Sequence, residues 1–306
     1  MENFFCPEGM SRHRGSSKYT FEELERALRE ERIIEARATL CDGDKNLYVD
    51  LGCCMGIIPK SEVMYNASGQ PVKDIAVITR VGKYVCFVVT DIDEDEDGIT
   101  VMLSRRLAQM KCCEGYIKYL ECGDVIDAVV THMEPFGVFC DIGCGVAALL
   151  PIDCISVSRI SHPKDRFEIG QIIKCAVKDI EKDIYRVTLT HKELLGTWEE
   201  NADTFSPGDT VIGIVRSVES YGIFVELTPN LAGLAEYCEG VEAGSSAAVY
   251  IKSIIPEKMK IKLVIIDTSP GKSERETLGY FFKGEHMTSW KYSPGKCPKQ
   301  ICTDFE

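Results

Sequence analysis

Nothing in the 306 residues approaches the run of about 18 apolar residues that a membrane-crossing helix needs. Residues 1–17 contain Pro7, Gly9 and Gly15 but no apolar stretch of the kind that directs secretion, so they read as a flexible arm. The expected location is the cytoplasm. Positive charge is also short, with 35 Lys and Arg against 48 Asp and Glu, a formal net charge of −13 spread along the whole chain. Such a chain lacks a general field for nucleic acid, so any nucleic-acid binding has to lean on stacking and a few phosphate contacts.

Catalytic signatures are missing as well. His13, His132, His162, His191 and His286 are scattered and form neither a His-Glu-x-x-His motif nor the partner of a Gly-x-Ser-x-Gly elbow. Gly271-Lys272-Ser273 resembles the end of a phosphate-binding loop, but Ile266 stands where that loop needs its first glycine. No catalytic residue and no cofactor is assigned, and the chain reads as a non-enzyme. Cysteine is plentiful at 15 residues, yet Cys53-Cys54, Cys112-Cys113, Cys140 with Cys144 and Cys297 with Cys302 do not make the paired C-x-x-C spacing of a zinc site. They read as reduced thiols filling cores, and no metal is expected.

What the sequence does have is a recurrence. Glu134 to Gly143 reads Glu-Pro-Phe-Gly-Val-Phe-Cys-Asp-Ile-Gly, a strand with alternating polarity and a glycine between two aromatic residues. A kink at that glycine can turn both rings outward as a stacking platform; the plain alternative is that Phe136 and Phe139 are core rings, as aromatics on strands usually are. Ser220 to Leu227 repeats the pattern, and Asn46 to Gly52 repeats its second half. Tyr48, Phe139 and Phe224 therefore recur at intervals of roughly 85 to 90 residues, the size of a small domain. A composition of 45% hydrophobic and 27% charged residues is ordinary for a globular protein of two or three domains.

In chain order, Thr20 with Glu23 forms a capping-box pattern ahead of a helix over 21–31. Strands are expected at 33–40, 47–52, 75–80, 84–91 and 99–104, with the acidic run 91–97 as a solvated hairpin tip. A helix over 105–120, weakened at Gly115, leads to strands at 125–131, 137–143, 147–151, 172–180 and 185–190. The connection 155–168 holds Arg159, His162 and Arg166, the one basic cluster outside the strands. A short helix over 193–202 precedes strands at 211–218, 221–227, 231–234, 247–255 and 260–266. Tyr280, Phe281, Phe282, Trp290 and Tyr292 follow, too aromatic for a disordered tail and expected to pack back on the third unit.

This order of elements describes an all-β chain of three tandem five-stranded OB-fold barrels joined by short helices. The units divide as arm 1–17, helix and degenerate repeat 18–110, repeat with linking helices 111–204, repeat 205–268 and aromatic extension 269–306. The sequence resembles the RNA-binding repeat of the bacterial ribosomal protein S-one family. Residues 123–192 carry that likeness most fully, through Gly123-Asp124, Phe136-Gly137-Val138-Phe139, Leu149-Leu150-Pro151 and Arg186-Val187-Thr188-Leu189-Thr190. Residues 208–267 carry it through Gly208-Asp209, Tyr221-Gly222-Ile223-Phe224 and Gly233-Leu234.

The resemblance implies single-stranded RNA binding, with messenger RNA and the small ribosomal subunit as expected partners. On that basis Phe136 and Phe139 stack bases in the second unit and Arg186 lies near the phosphates. Tyr221, Phe224 and Lys260 do the same in the third, and Lys174, Lys178 and His162 extend the second groove. The plain readings beside these are solvated edge charges for the two lysines and a capped loop side chain for His162. Where the family commonly has a histidine after the third strand, Pro59, Pro151 and Glu236 stand here, so affinity per unit should be modest. The first unit has Lys45-Asn46 in place of aromatic-Gly, and its expected role, over residues 1–110, is docking on the ribosomal subunit. A rival reading makes the chain a scaffold for a ribosomal or RNA-degradation partner with no RNA contact of its own.

Overall fold

The structure is a computed structural model that describes residues 5–10, 18–66, 71–95, 98–269 and 279–305. Gly271-Lys272-Ser273, His13, most of the expected arm and residues 96–97 of the acidic tip lie outside the described residues. Fifteen of the described strands close into three barrels. The first is β1 (Ile33–Cys41), β2 (Leu47–Asp50), β3 (Met55–Ile58), β4 (Tyr84–Asp95) and β5 (Gly98–Ser104). The second is β6 (Val125–Glu134), β7 (Gly137–Asp141), β8 (Ala147–Pro151), β9 (Ile172–Glu181) and β10 (Arg186–Thr190). The third is β11 (Thr210–Glu219), β12 (Gly222–Thr228), β13 (Leu231–Ala235), β14 (Ser246–Ile255) and β15 (Lys260–Ser269).

All three barrels share one topology. The first strand pairs antiparallel with the second and fourth, and the third strand closes the barrel by pairing parallel with the fifth. This is the OB type, an all-β architecture. Alternation puts Ile126, Ala128 and Val130 of β6 inside, and the register of β1, β6 and β11 shifts at equivalent places, Ala38/Leu40, Val130/His132 and Val215/Ser217. Such a shift bends the first strand around the barrel and turns the next side chain to the other face.

Among the described residues, four helices connect or flank the barrels: α1 (Phe21–Arg29), α2 (Asp74–Ile78), α3 (Arg105–Gly115) and α4 (Trp198–Ala202). The Thr20/Glu23 capping box forms at the start of α1, and α3 stops at Gly115. One expected strand, 75–80, is instead α2. Its β-branched residues read as strand, but only Val77 of that turn is buried, and Asp74 in the first turn takes an ion pair from Lys60 at 2.6 Å. The strand it displaced, β3, lies at Met55–Ile58, where Gly56 masks the alternation. A Cβ on Gly56 would run into the side-chain ends of Leu103 and Leu51, so both would have to repack to admit a larger residue there.

The arm departs from expectation over residues 5–10, which are packed between barrels 1 and 2. Phe5 stacks on Tyr116 with ring centroids 6.3 Å apart, and the Cys144 amide donates to Cys6 O at 2.9 Å. Glu8 accepts from Arg105 at 2.6 and 3.0 Å, and its amide donates to Asp141 Oδ2 at 2.7 Å. Burial and the neighbouring Glu8 raise the Asp141 carboxyl pKa, against the pull of amide donors and Arg105.

The C-terminal aromatics split. Trp290 and Tyr292, flanking Lys291 of the hairpin β16 (Ser289–Lys291) and β17 (Cys302–Asp304), join the buried core of the third barrel. Tyr280 and Phe282 are partly buried, while Phe281 is exposed. The extension also reaches barrel 2, where the Val125 amide donates to Glu285 O and the Met287 amide to Gly123 O, each at 2.8 Å. None of the 15 cysteines is in a disulfide and eight are buried, filling space as small side chains.

Candidate nucleic-acid interface

The second and third strands of each barrel carry the candidate site. In barrel 2, Phe139 of β7 lies opposite His132 of β6 and Leu149 of β8, and Leu149 is in parallel register with Thr188 of β10. In barrel 3, Phe224 of β12 lies opposite Ser217 and Leu234, and Leu234 is in register with Lys262. The two faces share one strand register and one pair of rings.

Glycine explains how two rings three residues apart share that surface. A Cβ on Gly137 would sit 2.6 Å from Leu150 O, and one on Gly222 would sit 2.6 Å from Ala235 O, so the neighbouring strand crosses where a side chain would stand. The residue before each glycine therefore lies at the lip of the strand, beyond the ladder, with its ring outside. Phe136 is 56% exposed and Tyr221 69%, while Phe139 and Phe224 are half-buried. Within each pair the centroids are 6.2 Å apart and the rings near perpendicular, at 90° for Phe136 with Phe139 and 85° for Tyr221 with Phe224. Each pair is an edge-to-face arrangement with one ring largely in solvent, which leaves aromatic surface for a flat heteroaromatic ring.

His132 adds a third ring in barrel 2, stacked on Phe139 at 6.2 Å and 26°, with Nε2 2.7 Å from Glu134 Oε1. The register shift at Val130/His132 turns it outward, and nothing in the sequence signals that shift. In barrel 1 the equivalent of Phe139 is Tyr48, opposite Leu40 and Ile57, with its hydroxyl donating to Asp42 at 3.3 Å and no ring at the lip before it.

The cations are placed unevenly. Arg186 starts β10 two residues before Thr188, at the platform edge, and pairs with Glu181 at 3.1 Å with both side chains largely in solvent. Lys260 starts β15 at the equivalent point, and Lys262 stands beside Leu234, exposed, with no ion pair among the described residues. Lys262 is a platform cation that the repeat pattern alone does not single out. Its signal is the alternation of β15, in which Ile261 and Leu263 point inward and so Lys262 outward.

Three expected contributors are engaged elsewhere. Lys174 lies on β9, separated from β7 by β6, and pairs with Asp127 at 3.1 Å, while its amide donates to the Tyr280 hydroxyl. Lys178 donates to Cys154 Sγ at 3.2 Å, which raises its pKa. His162 caps the turn at Pro163–Asp165, its Nδ1 accepting from the Lys164 amide at 3.1 Å, the plain alternative for that residue. Arg166, from the same connection, is buried in an ion pair with Glu226 of barrel 3. Among the described residues no three His, Cys, Asp or Glu side chains converge as metal ligands would, and no helix is long and apolar enough to cross a membrane.

Among known proteins, the family match falls on barrel 2. Residues 119–192 match the family model for the S1 RNA binding domain. The chain is 29% identical over 290 residues to the small ribosomal subunit protein bS1 homolog of Bacillus subtilis (strain 168), covering 89% of this chain and 73% of that relative. Identity to the small ribosomal subunit protein bS1 of Staphylococcus aureus (strain COL) is 29% over 285 residues, covering 88% of this chain and 70% of the relative. A solved multidomain protein with nucleic acid binding domains from Streptococcus pneumoniae aligns with 78% of this chain and 74% of its own, at 14% identity and a TM-score of 0.26.

Proposed function

We propose, on the premise that the chain is an S1-family protein, that it binds single-stranded RNA across the β7–β8 face of barrel 2 and the β12–β13 face of barrel 3. The observation that carries this reading is the outward pair of perpendicular rings, Phe136 with Phe139 and Tyr221 with Phe224, built in the same register on two barrels. Stacking on such rings tolerates any sequence because every base has a π face, and each good stack contributes about 1 to 3 kcal/mol. Arg186, Lys260 and Lys262 hold the backbone. Messenger RNA at the small ribosomal subunit is the substrate this reading favours, and barrel 1, without a ring pair, is the unit that docks on protein there.

Titration with single-stranded RNA tests the reading. Phe136→Ala/Phe139→Ala and Tyr221→Ala/Phe224→Ala should each weaken binding about a hundredfold, two lost stacks apiece. Unchanged affinity in both variants overturns it and leaves the scaffold reading, which would show instead as capture of one protein partner without RNA.

A further inference from the structure

The junction of barrels 1 and 2 contains a cleft of about 470 Å³ lined by Tyr65, Arg80, Gln109, Ala147, Tyr185 and Arg186. We propose that it holds one unstacked nucleotide of the RNA strand that lies on the barrel 2 platform, an inference that rests on the RNA-binding reading above. Position is the first argument. Ala147 and Arg186 line the cleft, and Ala147 is two residues from Leu149, the partner of Phe139. A strand leaving the platform across β8 and β10 runs toward these lining residues.

Chemistry is the second. Tyr65 follows the third strand of barrel 1 and Tyr185 ends the β9–β10 turn of barrel 2, so two half-buried rings approach from different barrels. Both pack against the shared core, which fixes them before any ligand arrives and lowers the entropy lost on binding. Tyr185 has φ +52°, a left-handed conformation uncommon for a bulky residue, at the end of the turn, and its ring packs partly against the core. Buried Gln109 pins the two walls together, its Oε1 accepting from the Tyr65 amide and its Nε2 donating to Gly145 O, each at 2.8 Å.

Charge is the third. Glu8 binds Arg105 closely, at 2.6 and 3.0 Å, but stands 3.6 Å from Arg80, whose side chain is 26% exposed. Asp141 adds a second carboxyl group, its pKa raised by burial and Glu8, and Arg80, with no guanidinium hydrogen bond among the described residues, keeps donors for a phosphate. A guanidinium and two rings lining one cleft can recognise a base with its phosphate, and stacking of a splayed base on aromatic rings is how proteins hold unpaired RNA. Barrel 1, which lacks a ring pair, thereby contributes Tyr65 and Arg80 to RNA binding.

The test uses the full chain in a Tyr221→Ala/Phe224→Ala background, which silences barrel 3, with oligoribonucleotides of about four and about eight residues. Lengthening should strengthen binding about tenfold, the worth of one further stack. Tyr65→Leu/Tyr185→Leu should abolish that gain without changing affinity for the short strand. Tyr65→Phe/Tyr185→Phe, which keeps the ring faces, should retain it and controls for folding. No gain with length, or a gain that the Leu variant keeps, overturns the cleft. If the short strand fails to bind at all, the platform reading falls instead. Saturation-transfer NMR with adenosine and uridine monophosphate then decides the cleft alone: a transfer signal that the parent gives and the Leu variant does not supports it, and no signal in the parent ends it.

Discussion

Arg166 of barrel 2 and Glu226 of barrel 3 form a two-pronged ion pair, with Nη1 to Oε1 at 2.7 Å and Nη2 to Oε2 at 2.8 Å, both side chains buried. Arg216 closes on the same carboxylate at 2.8 and 2.9 Å. Desolvation works against the charged form of Glu226, but its hydrogen bonds to the two guanidiniums outweigh it and lower the pKa. Glu226 lies two residues after Phe224, so the pair fixes barrel 2 against the platform strand of barrel 3. Glu226→Gln keeps the shape but strands two buried cations, and should lower the free energy of unfolding by roughly 3 kcal/mol in urea titration. Pairing it with Arg166→Met should recover part of that loss, because the desolvated cation is gone.

Salt dependence follows from the few available cations. With Arg186, Lys260 and Lys262 near the platforms and a net charge of −13, RNA affinity should fall with salt as if about two to four counterions were released. Fluorescence titration from low to moderate potassium chloride measures the slope. A steep slope would place a basic groove elsewhere on the surface.

His191 sets an acid limit. It is fully buried between Ile155 O, 2.8 Å from Nδ1, and the Tyr280 hydroxyl, 3.3 Å from Nε2, and burial pushes its pKa down to about 4. The folded state holds the neutral ring while the unfolded state takes up a proton near pH 6.5, so this contribution is full above the unfolded value and is lost as pH falls towards the folded one. Its size is roughly 3 kcal/mol for so large a shift. Thermal melts of the parent and His191→Asn between pH 7 and pH 4 should show the variant losing less with acid, whatever its stability at neutral pH.

Gly137 is the backbone condition for the barrel 2 platform. Gly137→Ala brings a Cβ to 2.6 Å from Leu150 O, contact with backbone that cannot rotate away. The strands must part, at a cost of about 1 to 3 kcal/mol, and Phe136 moves from its place at the lip. The expected result is a lower unfolding midpoint together with weaker RNA binding. Phe136→Ala, by contrast, should weaken binding about tenfold and leave the midpoint within error, since that ring is mostly in solvent.

Barrel order, most strands and the ring pairs are legible in the sequence because each depends on a short pattern: alternation, a glycine where strands cross, a capping box at Thr20. What escapes depends on geometry between distant residues. The outward turn of His132 needs a register shift that no local residue announces, and β3 is hidden by Gly56, whose small size answers to Leu103 far along the chain. Arg166 resembles a groove cation because a sequence does not show that Glu226 from the next barrel faces it. Lys174 and Lys178 share an alternating strand with buried residues, but which side of the barrel that strand occupies is settled only when β9 closes against β6.

The bonds between Glu285 and Val125, and between Met287 and Gly123, join the start of barrel 2 to residues some 160 positions later. A translating ribosome, releasing the chain from its N-terminus, extrudes barrel 2 well before the segment that covers its first strand. During that interval the edge at Val125 is open, and the nascent chain has to be kept from pairing there with a neighbour on the same message.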